Sequence, residues 1–154
     1  MVHHLGDEPF VPINMIQTVG ESINKGSDIC TASCKFENDE DIINANNVKV
    51  VTSLNGYALY FSRTVIPNRF SKDAHIHYKH IGIYGYTKNI LNKLSELESS
   101  SLENAEKLEQ LRFLENNIDI KCVISSLKGN QFWELNNPSD IPIIERILKS
   151  NKNI

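Results

Sequence analysis

Residues 47–63 read NVKVVTSLNGYALYFSR and give the clearest structural signal in this chain of 154 residues. Val48, Val50 and the run to Leu54 are typical of a strand, and residues 57–62 are typical of a second strand. Asn55 and Gly56 form the dipeptide that a two-residue hairpin turn prefers, because both central positions need positive φ, which Gly adopts freely and Asn tolerates. The pattern predicts an antiparallel β-hairpin around Asn55-Gly56.

The segments on either side alternate between strand and helix patterns, with no block of one kind. We predict helices from Pro12 to Gly26, over residues 90–97, from Ser100 to Leu114 and from Asn137 onward. We predict further strands at residues 28–36, 80–86 and 120–126, and a polar surface loop at residues 38–47. This alternation indicates an α/β layered fold, and the length predicts a single domain over residues 1–154.

Composition excludes several function classes. Sixteen basic and nineteen acidic residues give a net charge of −3, so the chain lacks the concentrated basic face of a nucleic-acid-binding protein. No apolar run approaches the ~20 residues that span a bilayer, so no membrane partner is expected. Cys30, Cys34 and Cys122 are an odd number, and they predict reduced, partly buried thiols in a cytoplasmic protein rather than disulfides or a zinc site.

The stretch GDEP at residues 6–9 offers two oxygen ligands in a short turn. Asp7 or Glu8 at the end of a strand is suited to Mg²⁺, which prefers one or two carboxylates together with substrate phosphates. The alternative is an ordinary acidic turn that caps the helix beginning near Pro12, and spacing alone favours this second interpretation.

Histidines follow next, in the stretch HIHYKH. Alternate positions of a strand share a face, so His75 and His77 could reach one metal ion. The favoured interpretation places these two in an exposed loop and starts the strand at His80. Arg63, at the end of a predicted strand, is either a ligand contact or a surface arginine.

The predicted helix after Ser100 carries an acidic side. Ser100 and Glu103 fit a capping box, and helical spacing places Glu103, Glu106 and Gln110 close together. The favoured interpretation of this side is a solvated acidic face.

Taken in order, GDEP, NNVKVV, NGYALYFSR, HIGIYGY, LEQLR and NNPSD resemble the 3-deoxy-manno-octulosonate cytidylyltransferases, or CMP-Kdo synthetases. The resemblance runs from Gly6 to the final helix. It implies a three-layer α/β/α nucleotidyltransferase fold and an enzyme, usually a homodimer, that uses Mg²⁺. Such an enzyme transfers CMP from CTP to the anomeric hydroxyl of 3-deoxy-manno-octulosonate (Kdo) and releases pyrophosphate. The reaction serves lipopolysaccharide biosynthesis in the cytoplasm of Gram-negative bacteria.

The resemblance also implies roles for residues that match the family's motifs. Arg63 matches a catalytic-site residue that contacts the Kdo carboxylate or its neighbourhood, as an arginine fork would suit. His80 and Tyr84 match positions that contact the sugar. Glu109 and Gln110 match hydrogen-bonding partners of the Kdo hydroxyl groups.

The implied metal ligands are Asp7 and Asn136. Asp7 matches the catalytic aspartate that binds Mg²⁺, whereas Asn136 stands where the family has its second aspartate. An amide oxygen coordinates a hard cation but brings no negative charge, so we expect weaker metal affinity.

In the family, GDEP follows a first strand and a loop of Pro, Ala, Arg, Ser, Gly and Lys that holds the triphosphate of CTP. The resemblance therefore implies an N-terminally truncated fold, the C-terminal part of a cytidylyltransferase domain. One hypothesis is an enzyme that needs a separate N-terminal nucleotide-binding polypeptide or an upstream extension. The other is an inactive remnant or split-gene fragment that at most dimerises through its hairpin. We expect poor solubility and no turnover from the chain alone.

Overall fold

The computed structural model describes residues 2–4, 11–70, 76–128, 138, 141–142 and 145. Within these residues the strands are β1 (Val2–His4), β2 (Ile29–Lys35), β3 (Lys49–Thr52), β4 (Ala58–Ser62), β5 (Tyr78–Tyr86) and β6 (Lys121–Lys128). The helices are α1 (Ile13–Asn24), α2 (Asp39–Ile43), α3 (Lys88–Leu94), α4 (Ser101–Glu106) and α5 (Gln110–Glu115).

The strands form one mixed sheet in the order β4-β3-β5-β2-β6. Strand β1 pairs with residues 83–85 of β5, whereas β3 pairs with residues 78–79. Helix α1 packs on one face, where Met15 and Val19 join a buried cluster with the inward side chains of β2 and β5. The opposite face is covered by a second cluster that includes Ile90 of α3 and Leu111 of α5. The predicted α/β/α layering is confirmed, with the sheet between the two sets of helices.

An irregularity in β5 sets which side chains face α3–α5. Thr31 of β2 pairs with Tyr84, but the next residue, Ala32, pairs with Ile81, so the register between the two strands shifts by two residues. An even number of extra residues preserves the alternation of the strand, because side chains have a period of two. His80 and Tyr84 therefore stay on the same face of the sheet.

The predicted hairpin is confirmed, but its turn is longer than expected. The Gly56 N–H donates to Ser53 O at 2.9 Å, and the Ser53 N–H donates to Tyr57 O at 2.8 Å. Gly56 has φ +73°, but Asn55 does not have a positive φ. The prediction of a two-residue turn was therefore wrong. A three-residue loop ending in a left-handed glycine leaves the Gly56 carbonyl free to accept from Cys122 N–H at 2.8 Å.

Two other predicted elements were wrong in part. The predicted surface loop at residues 38–47 contains α2, whose first turn is capped by the Asn38 side chain. The single helix predicted from Ser100 to Leu114 is divided into α4 and α5. Lys107 lies between them in the left-handed region, with φ 54°. The capping box of Ser100 and Glu103 at the start of α4 is confirmed.

Single residues also differ from expectation. His77 is buried, with Nε2 3.0 Å from Pro67 O, so its assignment to an exposed loop was wrong; His75 lies outside the described residues. The three cysteines are all buried, and no disulfide joins them in the structure that the described residues form. The helix expected from Asn137 falls almost wholly outside the described residues. No helix in the described part of the chain is long and apolar enough to cross a membrane.

Candidate functional site

The two expected metal ligands, Asp7 and Asn136, lie outside the described residues. Among the residues that the structure does describe, no group of three His, Cys, Asp or Glu side chains is placed to hold a metal ion. Asp7 would offer a carboxylate oxygen and Asn136 an uncharged amide oxygen, and both kinds of oxygen are suitable ligands for Mg²⁺. The pair stays a prediction.

His80 and Tyr84 lie together on the sheet face that is turned toward α5. Their ring centroids are 5.5 Å apart, and the edge of Phe61 from β4 meets the His80 ring at 5.0 Å. Thr31 and Ser33 stand opposite Tyr84 and His80 on β2. We call these five side chains the β5 face.

The imidazole of His80 is neutral and its tautomer follows from its partner. Burial, together with a smaller contribution from the charge of Lys79, lowers the pKa of His80 from 6.5 to about 3. Its Nε2 lies 2.9 Å from Thr31 Oγ1, which in turn lies 2.8 Å from the Ile83 carbonyl oxygen. Thr31 has one proton, which it donates to that carbonyl, so Nε2–H of His80 is the donor to Thr31. Nδ1 is left with a lone pair that accepts from a hydrogen-bond donor.

Two buried hydroxyl groups of the β5 face have no partner among the residues that the structure describes. The Ser33 side chain is fully buried and Tyr84 is 8% exposed, and neither hydroxyl forms a hydrogen bond within the described part of the chain. The Cys122 thiol lies near the Ser33 hydroxyl, and Thr31 lies near the Tyr84 hydroxyl. Neither neighbour forms a hydrogen bond of good geometry with that hydroxyl. Buried polar groups are nearly always paired, so an unpaired hydroxyl at such a place indicates a ligand or water contact.

Sequence reasoning missed Ser33. The signal was present in the run CTASC at residues 30–34, where Thr31 and Ser33 alternate with small apolar residues. Alternation places both hydroxyl side chains on one face of the strand, and the apolar residues face α1.

Glu109 and Gln110 approach the β5 face from the start of α5. Burial raises the pKa of Tyr84 well above its usual value, and the negative charge of Glu109 adds to the increase. Gln110 is buried, and its neighbours Leu108 and Leu111 pack in the same cluster as Tyr84. The structure thus brings four predicted residues, His80, Tyr84, Glu109 and Gln110, to one side of the sheet.

Arg63 lies at the end of β4, two residues beyond Phe61, and most of its donors are occupied. Nε donates to Glu106 O at 2.8 Å, Nη1 to Ala45 O at 3.2 Å and Nη2 to Lys107 O at 3.4 Å. One N–H on each terminal nitrogen has no partner among the described residues. A fork with a carboxylate can use one N–H from each terminal nitrogen.

The prediction that Glu103 and Glu106 belong to a solvated acidic face was wrong. Arg112 donates from Nε and Nη2 to the two oxygens of Glu103, at 2.8 and 2.5 Å. Glu106 accepts from the Ser62 hydroxyl at 2.6 Å and from the Arg63 N–H at 2.9 Å. Both carboxylates hold the break between α4 and α5 in place, which helical spacing alone does not reveal.

The bond to Arg112 makes stability depend on pH. The hydrogen bond from Arg112 lowers the pKa of Glu103 from 4.5 to about 2. A carboxylate whose pKa is lower in the folded state adds stability above pH 4.5, and this stability is lost as the pH falls toward 2. We expect Glu103→Gln to reduce the change in urea midpoint between these two pH values. Glu98 is exposed, so the control Glu98→Gln should show the same change in urea midpoint as the native protein. An equal change in midpoint for both variants would contradict the role of Glu103.

The charges and donors of the site indicate its ligand. Ser33, Tyr84 and Nδ1 of His80 are neutral groups suited to hydroxyl groups, and Gln110 adds an amide. The Arg63 fork supplies positive charge near the same helix break. The arrangement fits a polyhydroxylated compound that carries a carboxylate.

The family model described as "Cytidylyltransferase" matches residues 1–120. The 3-deoxy-manno-octulosonate cytidylyltransferase of Thermodesulfovibrio yellowstonii is 41% identical over 153 residues, which cover 94% of this chain and 58% of the relative. That of Fusobacterium nucleatum is 44% identical over 120 residues, 77% of this chain and 49% of the relative. This chain thus spans about half to three-fifths of the length of these relatives.

Among solved structures, this chain resembles a CMP:2-keto-3-deoxy-manno-octonic acid synthetase complexed with CTP. The TM-score is 0.88 at 26% identity, over 97% of this chain and 61% of that one. A glucose-1-phosphate thymidylyltransferase from Bacillus anthracis matches with a TM-score of 0.57 at 16% identity, which is a likeness of fold alone.

Proposed function

The chain belongs to the cytidylyltransferase family, and from that premise we propose that it binds Kdo for transfer of CMP from CTP. In this reaction the anomeric oxygen of Kdo forms a bond to the α-phosphorus of CTP, the bond to pyrophosphate breaks, and CMP-Kdo is formed. Relatives with 41% and 44% identity carry the name of this activity.

The observation that carries the proposal is the pair of unpartnered hydroxyls beside neutral His80. Kdo combines several hydroxyl groups with one carboxylate. Ser33, Tyr84 and His80 would bind hydroxyl groups, and the hydrogen bonds would replace those that the buried groups lack in the free protein. Arg63 would bind the carboxylate through its two remaining N–H groups.

Glu109 and Gln110 have complementary roles in this proposal. Gln110 would donate and accept hydrogen bonds with sugar hydroxyls from the α5 side. Glu109 is exposed, so it would bind a hydroxyl as an acceptor at the rim of the site.

The proposed cofactor is Mg²⁺, held by Asp7 with Asn136 as an uncharged second ligand. When bound, the ion would neutralise charge on the phosphates of CTP. Asp7 would orient it through a carboxylate oxygen. The proposal includes CTP and Kdo as substrates, and a nucleotide-binding polypeptide from elsewhere as a partner. It also includes a homodimer and a place in the cytoplasm of a Gram-negative bacterium, where Kdo enters lipopolysaccharide.

The test separates binding of the sugar acid from turnover. Calorimetry of this chain with Kdo should show binding, and mannose, which lacks the carboxylate, should bind at least about tenfold more weakly. Pyrophosphate release from CTP, Kdo and Mg²⁺ is then measured for the chain alone and with the N-terminal segment of a relative added. We expect product only with the added segment. Absence of Kdo binding and of product in every arm would overturn the proposal in favour of an inactive remnant.

A further inference from the structure

Lys49 on β3 is fully buried, which is rare for a lysine. Its ammonium donates to three carbonyl oxygens, those of Asn44 at 3.0 Å, Asn47 at 2.8 Å and Arg63 at 2.5 Å. All three donors of the ammonium are therefore used. The side chain ties the segment between α2 and β3 to the end of β4.

Glu106 binds the backbone of the same residue, Arg63, through its N–H. One carboxylate oxygen accepts from the Arg63 N–H at 2.9 Å, and the other accepts from the Ser62 hydroxyl at 2.6 Å. Arg63 thus has its N–H bound by an anion and its C=O bound by a cation. Charge-assisted bonds of this kind are shorter and stronger than neutral ones.

The side chain of Arg63 extends this arrangement to the break between the two helices. It donates to the last carbonyls of α4, at Glu106 and Lys107. Lys107 is held with φ 54°, so the chain turns there and α5 begins three residues later with Gln110. The position of Glu109 and Gln110 therefore depends on contacts that Arg63 makes.

We infer that Lys49 and Glu106 are positioning residues that hold Arg63 and the α4–α5 break in the arrangement that binds the carboxylate of a sugar acid. This inference rests on the proposed function for its ligand and on the contacts above for its mechanism. The sequence gives no sign of it, because VKVV reads as a strand with one outward lysine.

The electrostatics of the three side chains make the arrangement dependent on pH. Burial lowers the pKa of Lys49 from 10.5 to about 8; the charge of Glu106 opposes the shift and that of Arg63 adds to it. Below pH 8 the ammonium binds all three carbonyls. Above it the neutral amine has one donor fewer, so its hold on the Arg63 carbonyl weakens.

Global stability changes in the opposite direction. Between pH 8 and 10.5 the unfolded chain keeps a proton on Lys49 that the folded chain has lost, so the contribution of this residue to the free energy of unfolding rises with pH. A loss of ligand affinity over this interval is therefore not a loss of fold.

The closing experiment measures Kdo affinity by calorimetry from pH 6.5 to 9.5, together with amide hydrogen exchange at Leu108 to Gln110. For the native protein we expect about a tenfold loss of affinity as the pH rises through about 8, with lower protection factors at these amides once the base-catalysed rise of intrinsic exchange is divided out. The Lys49→Met protein should bind Kdo weakly, with an affinity that does not change with pH over this range. Lys35→Met, which removes an exposed lysine of β2, should behave like the native protein.

Glu106 allows charge and geometry to be separated. Glu106→Gln keeps an oxygen for the Arg63 N–H and an amide for the Ser62 hydroxyl but loses the anion, so we expect the affinity loss to begin at lower pH. Glu106→Ala loses both contacts, so its affinity should be as weak as that of Lys49→Met, but it keeps a dependence on pH because Lys49 still titrates. The inference is wrong if Lys49→Met keeps the native pH profile of affinity, or if the protection factors of Leu108 to Gln110 stay constant as the pH rises through about 8. If Kdo does not bind the native protein, the proposed function fails, and the exchange data still decide whether Lys49 and Glu106 hold the break.

Discussion

Phe61→Ala is expected to lower the free energy of unfolding by about 3–5 kcal/mol, the range for removing a buried aromatic ring from a core. Phe61 is 0% exposed and is among the largest fully buried side chains. The loss combines the lost burial of the ring with a cavity that the neighbouring strands fill only in part. The ring also contacts His80 edge-on at 5.0 Å, so its removal frees the imidazole to change orientation.

Urea unfolding followed by circular dichroism measures this effect. Leu59→Ala is the matched control, because Leu59 lies two residues earlier on the same strand and is 61% exposed. The control should stay within about 0.5 kcal/mol of the native protein. Similar losses for the two variants would show that Phe61 does not anchor the core beside the β5 face.

Tyr84→Phe is expected to have opposite effects on binding and on stability. The Tyr84 hydroxyl is buried and has no partner among the described residues, and a buried unpaired polar group costs about 1–3 kcal/mol. Its removal should therefore raise the free energy of unfolding by about 1 kcal/mol, while affinity for Kdo falls about tenfold. A hydroxyl group that destabilises the free protein but strengthens ligand binding is expected of a binding residue rather than of a core residue.

Ser33→Ala should change both quantities in the same directions, because its hydroxyl is equally buried and unpaired. Tyr57→Phe is the control, since Tyr57 is 38% exposed at the hairpin, and it should change neither quantity much. A Tyr84→Phe protein that is less stable than the native one and binds Kdo equally well would remove the hydroxyl from the site.

Local patterns predicted most of the elements correctly. Pro12 and Gly26 bracket α1, the Ser100–Glu103 box starts α4, and Asn55-Gly56 lies in a hairpin. Each of these signals acts over a few neighbouring residues, through fixed φ, a capping bond or a turn preference. Sequence is informative here because the partners of each backbone group lie within one or two turns.

The errors occur where a distant residue decides the conformation. The periodicity of residues 100–114 predicts one helix, but Arg63 binds the carbonyls of Glu106 and Lys107 and divides it. The hairpin turn has three residues, and its glycine carbonyl binds Cys122, which lies far along the chain. Asp7 and Asn136 stay predictions from the resemblance.

The sequence by itself determined most of the strands and helices, the layered fold class and the motifs that the chain shares with cytidylyltransferases, because these signals lie in neighbouring residues. Only the tertiary structure decided that Ser33 joins His80 and Tyr84, and that Lys49 and Glu106 hold Arg63. Strand pairing brings Ser33 and His80 together although they are far apart in sequence, and burial then gives each hydroxyl and charge the environment that sets its chemistry.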